Sequence, residues 1–292
     1  MASRIALNGF GRIGRHFLRQ SFGRSDFQVV AVNDLGDLEN LAYLLKYDTV
    51  YGRYDKDISI NKEAGELVVQ GQVIKALQIK DPTQLPWGEM QIDLVIEATG
   101  LFESFEKAKV HLDAGAKRVV ITAPAKDEDG DLGKTILMGI NQNQLETVRM
   151  SSNGSCTTNS ASPVVQVLSE TIGIEKAMLS TVHGYTATQN LVDGPVKGGH
   201  DFRRGRGAAQ NISPSTTGAA IAVTRAISEL KGKFDGLAFR VPVPAGSLSD
   251  ITFLAKRNTS VEEINSILKE AASSPRWQGI LKVTEDQLVS SD

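Results

Sequence analysis

Cysteine is almost absent. Cys156 is the only one in 292 residues, so no internal disulfide can form, and this usage fits a reducing compartment, most simply the cytoplasm. Histidine is nearly as scarce: His16, His111, His183 and His200 are scattered along the chain, and with a single thiol they give no metal-ligand spacing, so no metal is expected. No apolar run approaches membrane-spanning length, and Met1-Ala2-Ser3-Arg4 leads straight into a strand-like run rather than a signal peptide, so no membrane partner is expected. Neither sign of charge dominates. The 32 Lys and Arg against 34 Asp and Glu leave a formal charge of -2, which gives no global reason to expect nucleic acid as a partner. Apolar residues are plentiful: 41% of a chain this long is enough for two cores, and two domains are the default.

The lone thiol stands in Gly154-Ser155-Cys156-Thr157-Thr158-Asn159, just ahead of a helix-like stretch. The first N–H groups of a helix lack internal partners and carry partial positive charge, so a thiol placed there ionises more readily and becomes the stronger nucleophile. His183 follows 27 residues later, at the end of the strand-like run Ala177 to Val182, where it can be brought beside the sulfur as its base. A buried structural cysteine would have apolar neighbours. Here they are Ser, Thr and Asn.

The first half reads as a nucleotide-binding domain. Arg4 to Asn8 is a strand, Gly9-Phe10-Gly11-Arg12-Ile13-Gly14 is a GxGxxG turn, and Arg15 to Gln20 continues as helix. Gly9 permits the tight turn, Gly11 lets backbone approach a pyrophosphate, and Gly14 lets helix pack on strand. A second strand, Phe27 to Asn33, ends at Asp34, 20 residues after Gly14. An acid there accepts from an adenosine ribose and repels a 2′-phosphate, so NAD is expected rather than NADP. Further apolar strands end at Thr99-Gly100 and at Thr122, separated by helical sequence such as Ser104 to Ala114. Alternating strands and helices predict a doubly wound parallel sheet with ligand at the C-terminal strand ends, making Thr99, Gly100 and Thr122 candidates for the cofactor edge. The more polar stretch from Tyr51 to Trp87, with Glu63 to Glu66 as a hairpin turn, reads as an insertion between the two halves of that sheet.

In the second half, Thr157 to Ile172 reads as a helix that tolerates Pro163 in its first turns. Beyond His183 a long stretch to Pro214 has little periodicity, and its run Asp201 to Arg206 reads as an anion-binding segment or a subunit contact. Ser213 to Gly218 opens another helix, from Ala219 to about Leu230, whose hydroxyls and free N–H groups make a second anion cradle. Phe234 to Val241 and Ser249 to Lys256 read as strands, and Arg240, a cation inside one of them, needs a partner. Val261 to Ala272 is an amphipathic helix with Ser260 and Glu263 as a capping box.

Taken together, NGFGRIGR at 8–15, ND at 33–34, SCTTN at 155–159, HGYTATQ at 183–189, PSTTGAA at 214–220 and RVPVP at 240–244 resemble phosphorylating glyceraldehyde-3-phosphate dehydrogenase, and the likeness runs from the first residues to the last. The resemblance implies a Rossmann NAD-binding domain over 1–154, an α+β catalytic domain with a mostly antiparallel sheet over 155–292, and a homotetramer. The implied reaction oxidises D-glyceraldehyde 3-phosphate with inorganic phosphate to 1,3-bisphosphoglycerate. Cys156 would be the nucleophile and His183 its base, with the Cys156 N–H and protonated His183 steadying the oxyanion. Thr186, Thr188 and Arg240 match the site for the substrate's own phosphate, while Ser155, Thr157, Thr217, Gly218 and Arg204 match that for the attacking phosphate. For NAD, Arg12 and Ile13 match the pyrophosphate turn, Asp34 the ribose contact and Lys80 a position beside the adenine. Leu35 and Pro195 agree with the NAD-preferring form, Pro195 reaching in from a neighbouring subunit.

The chain departs from the family pattern in three places. Ser160 replaces a second cysteine four residues after the nucleophile, and Gly184 replaces the usual Ala or Ser beside the base, a mild change. The chain also stops at Ser290-Ser291-Asp292, before the family's final strands, its long C-terminal helix and the asparagine that orients the nicotinamide. Two other readings remain: erythrose-4-phosphate dehydrogenase, whose usual residues after the histidine differ from Tyr185 to Gln189, and a catalytically impaired NAD-binding or scaffolding protein.

Overall fold

The structure, a computed structural model, describes residues 2–196 and 200–292. It divides into two compact units. The first runs to Thr135 and takes in Gln144–Asn153; the second comprises Ile136–Asn143 and Gly154–Asp292. The short segment 136–143 belongs with the second unit for local reasons: Arg276 Nε donates to the Gly139 carbonyl at 2.6 Å, the Trp277 ring lies where a Gly139 side chain would be, and Ile140 packs on that unit's core.

The first unit is built on a nine-stranded sheet. Its strands are β1 (Ser3–Asn8), β2 (Phe27–Asn33), β3 (Ile58–Asn61), β4 (Glu66–Val69), β5 (Gln72–Leu77), β6 (Leu94–Glu97), β7 (Arg118–Ile121), β8 (Lys134–Thr135) and β9 (Met150–Ser152), in the order β8-β9-β7-β6-β1-β2-β5-β4-β3. From β8 to β5 all neighbours are parallel. Two apolar clusters flank the sheet, one around Leu7, Leu18, Val32 and Leu45, the other around Trp87, Val95, Phe105 and Val119, as expected of a doubly wound sheet covered on both faces. Helix α1 (Arg12–Ser21) follows β1 directly, and α2 (Leu38–Lys46) follows β2, capped by Asp37. The segment from Tyr51 to Trp87 is not an insertion. Its hairpin of β3 and β4 is antiparallel, as its turn predicts, but β5 lies parallel beside β2 and is a regular member of the sheet; the polar turns around it mask a strand with only one buried side chain, Ile74.

The second unit holds a four-stranded sheet, β10 (Ile174–Gly184), β11 (Ser213–Thr216), β12 (Phe234–Val241) and β13 (Ser247–Ala255), in the order β11-β12-β10-β13. Only β10 and β12 are parallel. Helices α3 (Cys156–Thr171), α4 (Ala219–Ala226) and α5 (Val261–Ala272) contribute Val165, Leu168, Ala220, Val223, Ile264 and Ile267 to one core with Leu179 and Phe253 of the sheet.

Three local expectations change. Pro163 is the eighth residue of α3, in its interior, where it removes the N–H that would reach the Asn159 carbonyl. Ser213 to Thr216 pairs with β12 as a strand, so only Thr217 and Gly218 precede α4, which ends at Ala226 before a separate turn at Ser228–Leu230. The Ser260 hydroxyl caps α5 through the Glu263 N–H at 3.2 Å, but the Glu263 carboxylate turns to Arg257 and Thr259, so half of the capping box forms.

Candidate active site

The glycine turn after β1 owes its shape to contacts that no other residue permits. Gly9 has φ of +96°, and an added Cβ would lie 2.6 Å from the Ala98 carbonyl carbon; at Gly14 it would lie 2.2 Å from the Gly9 carbonyl oxygen. Gly11, at the N-cap of α1, faces open space, with nothing within 4 Å of its would-be Cβ. The first and third glycines therefore close the loop on strand and helix, and the second leaves its backbone open to a ligand. Beside it is a cleft of about 270 Å3 at the C-terminal ends of β1, β2 and β6, lined by Gly9, Gly11, Asp34, Lys80 and Thr99, with Asn8, Asn33 and Leu35. Of the other expected cofactor residues, Arg12, Ile13, Gly14, Gly100 and Thr122 lie outside that lining; Ile13 is exposed on the first turn of α1, and Thr122 is tied to the Glu97 carbonyl at 3.0 Å. Asp34 also has a local duty: Oδ2 accepts from the Phe10 N–H at 2.7 Å and Oδ1 from the Gly36 N–H at 2.8 Å. It braces the glycine turn while facing the cleft.

In the second unit Cys156 is the first residue of α3. Ser155 is its N-cap, and the reciprocal bonds Thr158 N–H to Ser155 Oγ at 3.1 Å and Ser155 N–H to Thr158 Oγ1 at 3.0 Å close a capping box. That box pins the chain entry so that the sulfur projects from the positive end of a helix of 16 residues. Cys156 Sγ lies 3.0 Å from His183 Nε2. The register of the sheet brings the imidazole there: His183, next to last in β10, stands opposite Arg240 of β12 on one side and Ser247 of β13 on the other, so the three share the face beneath α3. His183 Nδ1 is 2.6 Å from both the Gly184 carbonyl oxygen and Arg240 Nη1, and Arg240 also donates to that carbonyl at 3.1 Å. The partner required by the cation in the strand is an imidazole and a carbonyl, with no carboxylate among the described residues.

The thiol is exposed, yet enough protein surrounds the sulfur for burial to be the largest single influence on it, pushing its pKa up. The hydrogen bond and charge of His183, with the N–H and hydroxyl of Thr157, together outweigh that, and the thiol is held below its ordinary value. Arg240 is lowered, first by burial and then by the charge of Arg204, while the thiolate of Cys156 acts in the opposite sense. Two guanidinium groups and the sulfur thus lie within electrostatic reach of one another.

The remaining anion-site candidates are distributed around this centre. Thr186 and Thr188 share a hydroxyl contact of 2.9 Å just past β10. Thr217 Oγ1 caps α4 through the Ala219 N–H at 3.1 Å, and Gly218 is the N-cap residue of that helix. In the segment Asp201 to Arg206, Arg203 pairs with Asp201 at 2.7 Å and Arg206 with Asp193 at 2.8 Å, while Arg204 is 3.8 Å from Asp201. Thr157 is 2% exposed, and its hydroxyl lies 2.7 Å from Ser247 Oγ and 3.4 Å from Thr181 Oγ1. Ser160 also has structural employment, bonding the Ser249 hydroxyl at 2.8 Å and the Thr157 carbonyl at 3.1 Å. Gly184 is more than a mild change. A Cβ there would meet the Val243 carbonyl oxygen at 2.8 Å, because residues 243–245 pack directly onto it.

Nothing in the sequence marks Thr181 and Ser247, since their place under the thiol follows from pairing between strands distant in the chain. Among the described residues no three His, Cys, Asp or Glu side chains are grouped to hold a metal, and no helix is long and apolar enough to cross a membrane.

A dinucleotide-type sheet in one unit and a thiol–imidazole pair at a helix N-terminus in the other define the class of NAD-linked oxidoreductases that act through cysteine. The sequence comparisons are specific. Residues 3–105 match the model of the glyceraldehyde 3-phosphate dehydrogenase NAD binding domain, and residues 155–292 match that of its C-terminal domain. The chain is 46% identical over 295 residues to glyceraldehyde-3-phosphate dehydrogenase of Streptomyces coelicolor, and 48% identical over 299 and 301 residues to those of Mycobacterium avium and Mycolicibacterium smegmatis. All of this chain is covered, against 85 to 86% of each relative. The chain belongs to the glyceraldehyde-3-phosphate dehydrogenase family.

Proposed function

We propose that this protein carries out the NAD-dependent oxidative phosphorylation of D-glyceraldehyde 3-phosphate to 1,3-bisphosphoglycerate, with residues 1–154 as cofactor domain and 155–292 as catalytic domain. The observation that carries the reading is the 3.0 Å contact between Cys156 Sγ and His183 Nε2 at the capped start of α3. The thiolate attacks the aldehyde carbon. His183 then accepts the proton of the resulting hemithioacetal, and the Cys156 N–H, free at the first turn of the helix, faces the oxyanion. The open backbone at Gly11 and the cleft beside Asp34 fit a dinucleotide, with Gly9, Gly11, Arg12 and Ile13 at the pyrophosphate, Asp34 at the ribose, Lys80 at the adenine, and Thr99, Gly100 and Thr122 along the edge. NAD, when bound, supplies the two-electron acceptor that takes the Cys156 adduct to a thioester. Inorganic phosphate cleaves that thioester, forming the C–O bond of the acyl phosphate as the C–S bond breaks and returning Cys156. Thr186, Thr188 and Arg240 hold the phosphate already on the substrate; Ser155, Thr157, Thr217, Gly218 and Arg204 hold the incoming one, and Thr157 also holds down the thiol pKa.

Homotetramer formation and a cytoplasmic location belong to the same proposal. One face of the β10–β13 sheet is covered by helices, and the other exposes Met178, Val182, Leu237, Leu248 and Leu254, an apolar surface suited to a further copy of the chain. The reaction is tested by following NADH from the aldehyde with and without inorganic phosphate. Strict phosphate dependence and acyl phosphate product are expected. Phosphate-independent NADH would favour erythrose-4-phosphate dehydrogenase chemistry, and NAD binding without iodoacetate-sensitive turnover would favour a scaffolding role.

A further inference from the structure

Behind the wall of the dinucleotide cleft runs a chain of buried polar side chains that the reaction does not use. Glu97, 2% exposed at the end of β6, and His111, fully buried, lie at its centre. Glu97 Oε2 accepts from Asn8 Nδ2 at 2.6 Å and lies 3.0 Å from His111 Nε2; Oε1 accepts from the Thr99 N–H at 2.8 Å and from the Thr99 hydroxyl. The directions of these bonds follow from one group. The indole of Trp87 can only donate, and its Nε1 is 3.2 Å from His111 Nδ1, so Nδ1 is the acceptor, the ring proton sits on Nε2, and it points at the carboxylate. With Nδ2 of Asn8 given to Glu97, its Oδ1 accepts from Asn33 Nδ2 at 2.8 Å, and Asn33 clasps the backbone of Ile79, donating to its carbonyl at 3.0 Å and accepting from its N–H at 2.9 Å.

We propose that Glu97 and His111 are positioning residues for the dinucleotide: the carboxylate, oriented by the imidazole, fixes Thr99 and the Asn8–Asn33 pair, which together wall the cleft beside the glycine turn. Each group fastened in this way, Asn8, Asn33, Ile79 and Thr99, lines the cleft. The coupling to the turn is direct, because the Gly9 N–H donates to the Asn33 carbonyl at 2.8 Å and Gly9 packs against the Ala98–Thr99 peptide. Holding a carboxyl group in a core is costly, and apolar side chains would fill the same volume more cheaply. A fully connected polar chain gives what packing alone does not, a single arrangement of four cleft-lining groups from separate segments. The inference deepens the assignment of this cleft to NAD and rests on it.

The test is calorimetric titration of the full chain with NAD, accompanied by thermal denaturation and by ring-nitrogen NMR of His111. Trp87→Phe keeps an aromatic ring and removes the donor that selects the tautomer, and Thr99→Val removes the hydroxyl that the carboxylate holds. Each is expected to raise the NAD Kd by about three- to tenfold, the equivalent of one hydrogen bond; Trp87→Phe should also move the His111 nitrogens away from a pure Nε2–H pattern. If Trp87→Phe does not fold, Thr99→Val, at a half-buried position, carries the test. A lowered thermal midpoint with an unchanged NAD Kd would mean a merely structural role and overturn the inference. Failure of the unsubstituted chain to bind NAD would instead overturn the cleft assignment, and the inference with it.

Discussion

The two units bury polarity in opposite ways. Under the dinucleotide cleft, Trp87, His111, Glu97, Asn8 and Asn33 form a chain in which the direction of each bond is fixed, and the ligand is offered backbone at Gly11. Under the thiol, Thr157, Thr181 and Ser247 meet hydroxyl to hydroxyl at 2.7 to 3.4 Å, where either oxygen can donate, and the ligand is offered an exposed sulfur. A fixed network suits a cradle whose task is to hold one shape. Rotatable hydroxyls suit a site whose charge changes during turnover, since they can reorient as the sulfur gains and loses its negative charge.

The largest effect that sharpens this contrast is expected from Cys156→Ser. An alcohol at neutral pH is a far poorer nucleophile than a thiolate, and turnover should fall by roughly 10^4-fold or more, while NAD affinity, measured by calorimetry, stays nearly that of the unsubstituted chain. Retained turnover would remove the assignment of the nucleophile. Next comes His183→Asn. His183 lowers the thiol pKa, so the unsubstituted chain should be alkylated by iodoacetamide with a midpoint below the roughly 8.5 of a free thiol. Removing the imidazole takes away the largest influences that oppose burial and leaves only those of Thr157, so the midpoint should move to higher pH and turnover should drop by about 10^2- to 10^4-fold. A pH profile that does not move would separate the imidazole from the thiol's ionisation.

How much of this was readable beforehand follows the same division. The parallel sheet, the glycine turn and Asp34 are local features: a strand, a GxGxxG and an acid at a fixed distance sit within 31 residues, from Arg4 to Asp34, and the backbone conformations they need are dictated by residue type. The capped thiol at the start of α3 was legible for the same reason. What faces His183 was not, because Arg240 and Ser247 reach it by pairing of β10 with β12 and β13, strands separated from it by 50 residues or more, and register is not written in any one segment. Arg240 did give a signal, a cation inside an apolar strand. Glu97 gives the same signal in Leu94-Val95-Ile96-Glu97, yet its partners Asn8 and His111, and Trp87 behind His111, come from three separate segments. The strand β5 is hidden in the sequence because only one of its six side chains is buried, so its pattern is that of an edge hairpin although it pairs with β2.

The two outer roles in the glycine turn can be separated from the inner one. At Gly9, φ of +96° and a Cβ 2.6 Å from backbone leave no room, so Gly9→Ala should lower stability by about 1–3 kcal/mol or more. At Gly11, φ is -70° and a Cβ meets nothing, so Gly11→Ala should keep the denaturation midpoint, with a change within about 0.5 kcal/mol. If a pyrophosphate occupies that open space, the same methyl group should still raise the NAD Kd, on the order of tenfold. Equal loss of stability in both variants would erase the distinction between a glycine the fold needs and one the ligand needs.

The smallest expected effect concerns Asp34, where the two kinds of duty meet in one side chain. Its carboxylate holds the Phe10 and Gly36 N–H groups and also faces the cleft. If Asp34 is the ribose acceptor, as proposed, it repels a 2′-phosphate, and Asp34→Ala should reduce the preference for NAD over NADP by about tenfold, equivalent to roughly 1.4 kcal/mol. As a brace for the glycine turn it should cost affinity for both dinucleotides alike. Comparing the two dissociation constants in Asp34→Ala and in Asp34→Asn resolves the parts: the amide keeps an oxygen for one backbone donor and removes the charge, so it should alter the NAD to NADP ratio as strongly as alanine while weakening NAD binding less. An unaltered ratio in both variants, with NAD and NADP weakened together, would make Asp34 a brace for the turn and leave cofactor choice to other residues.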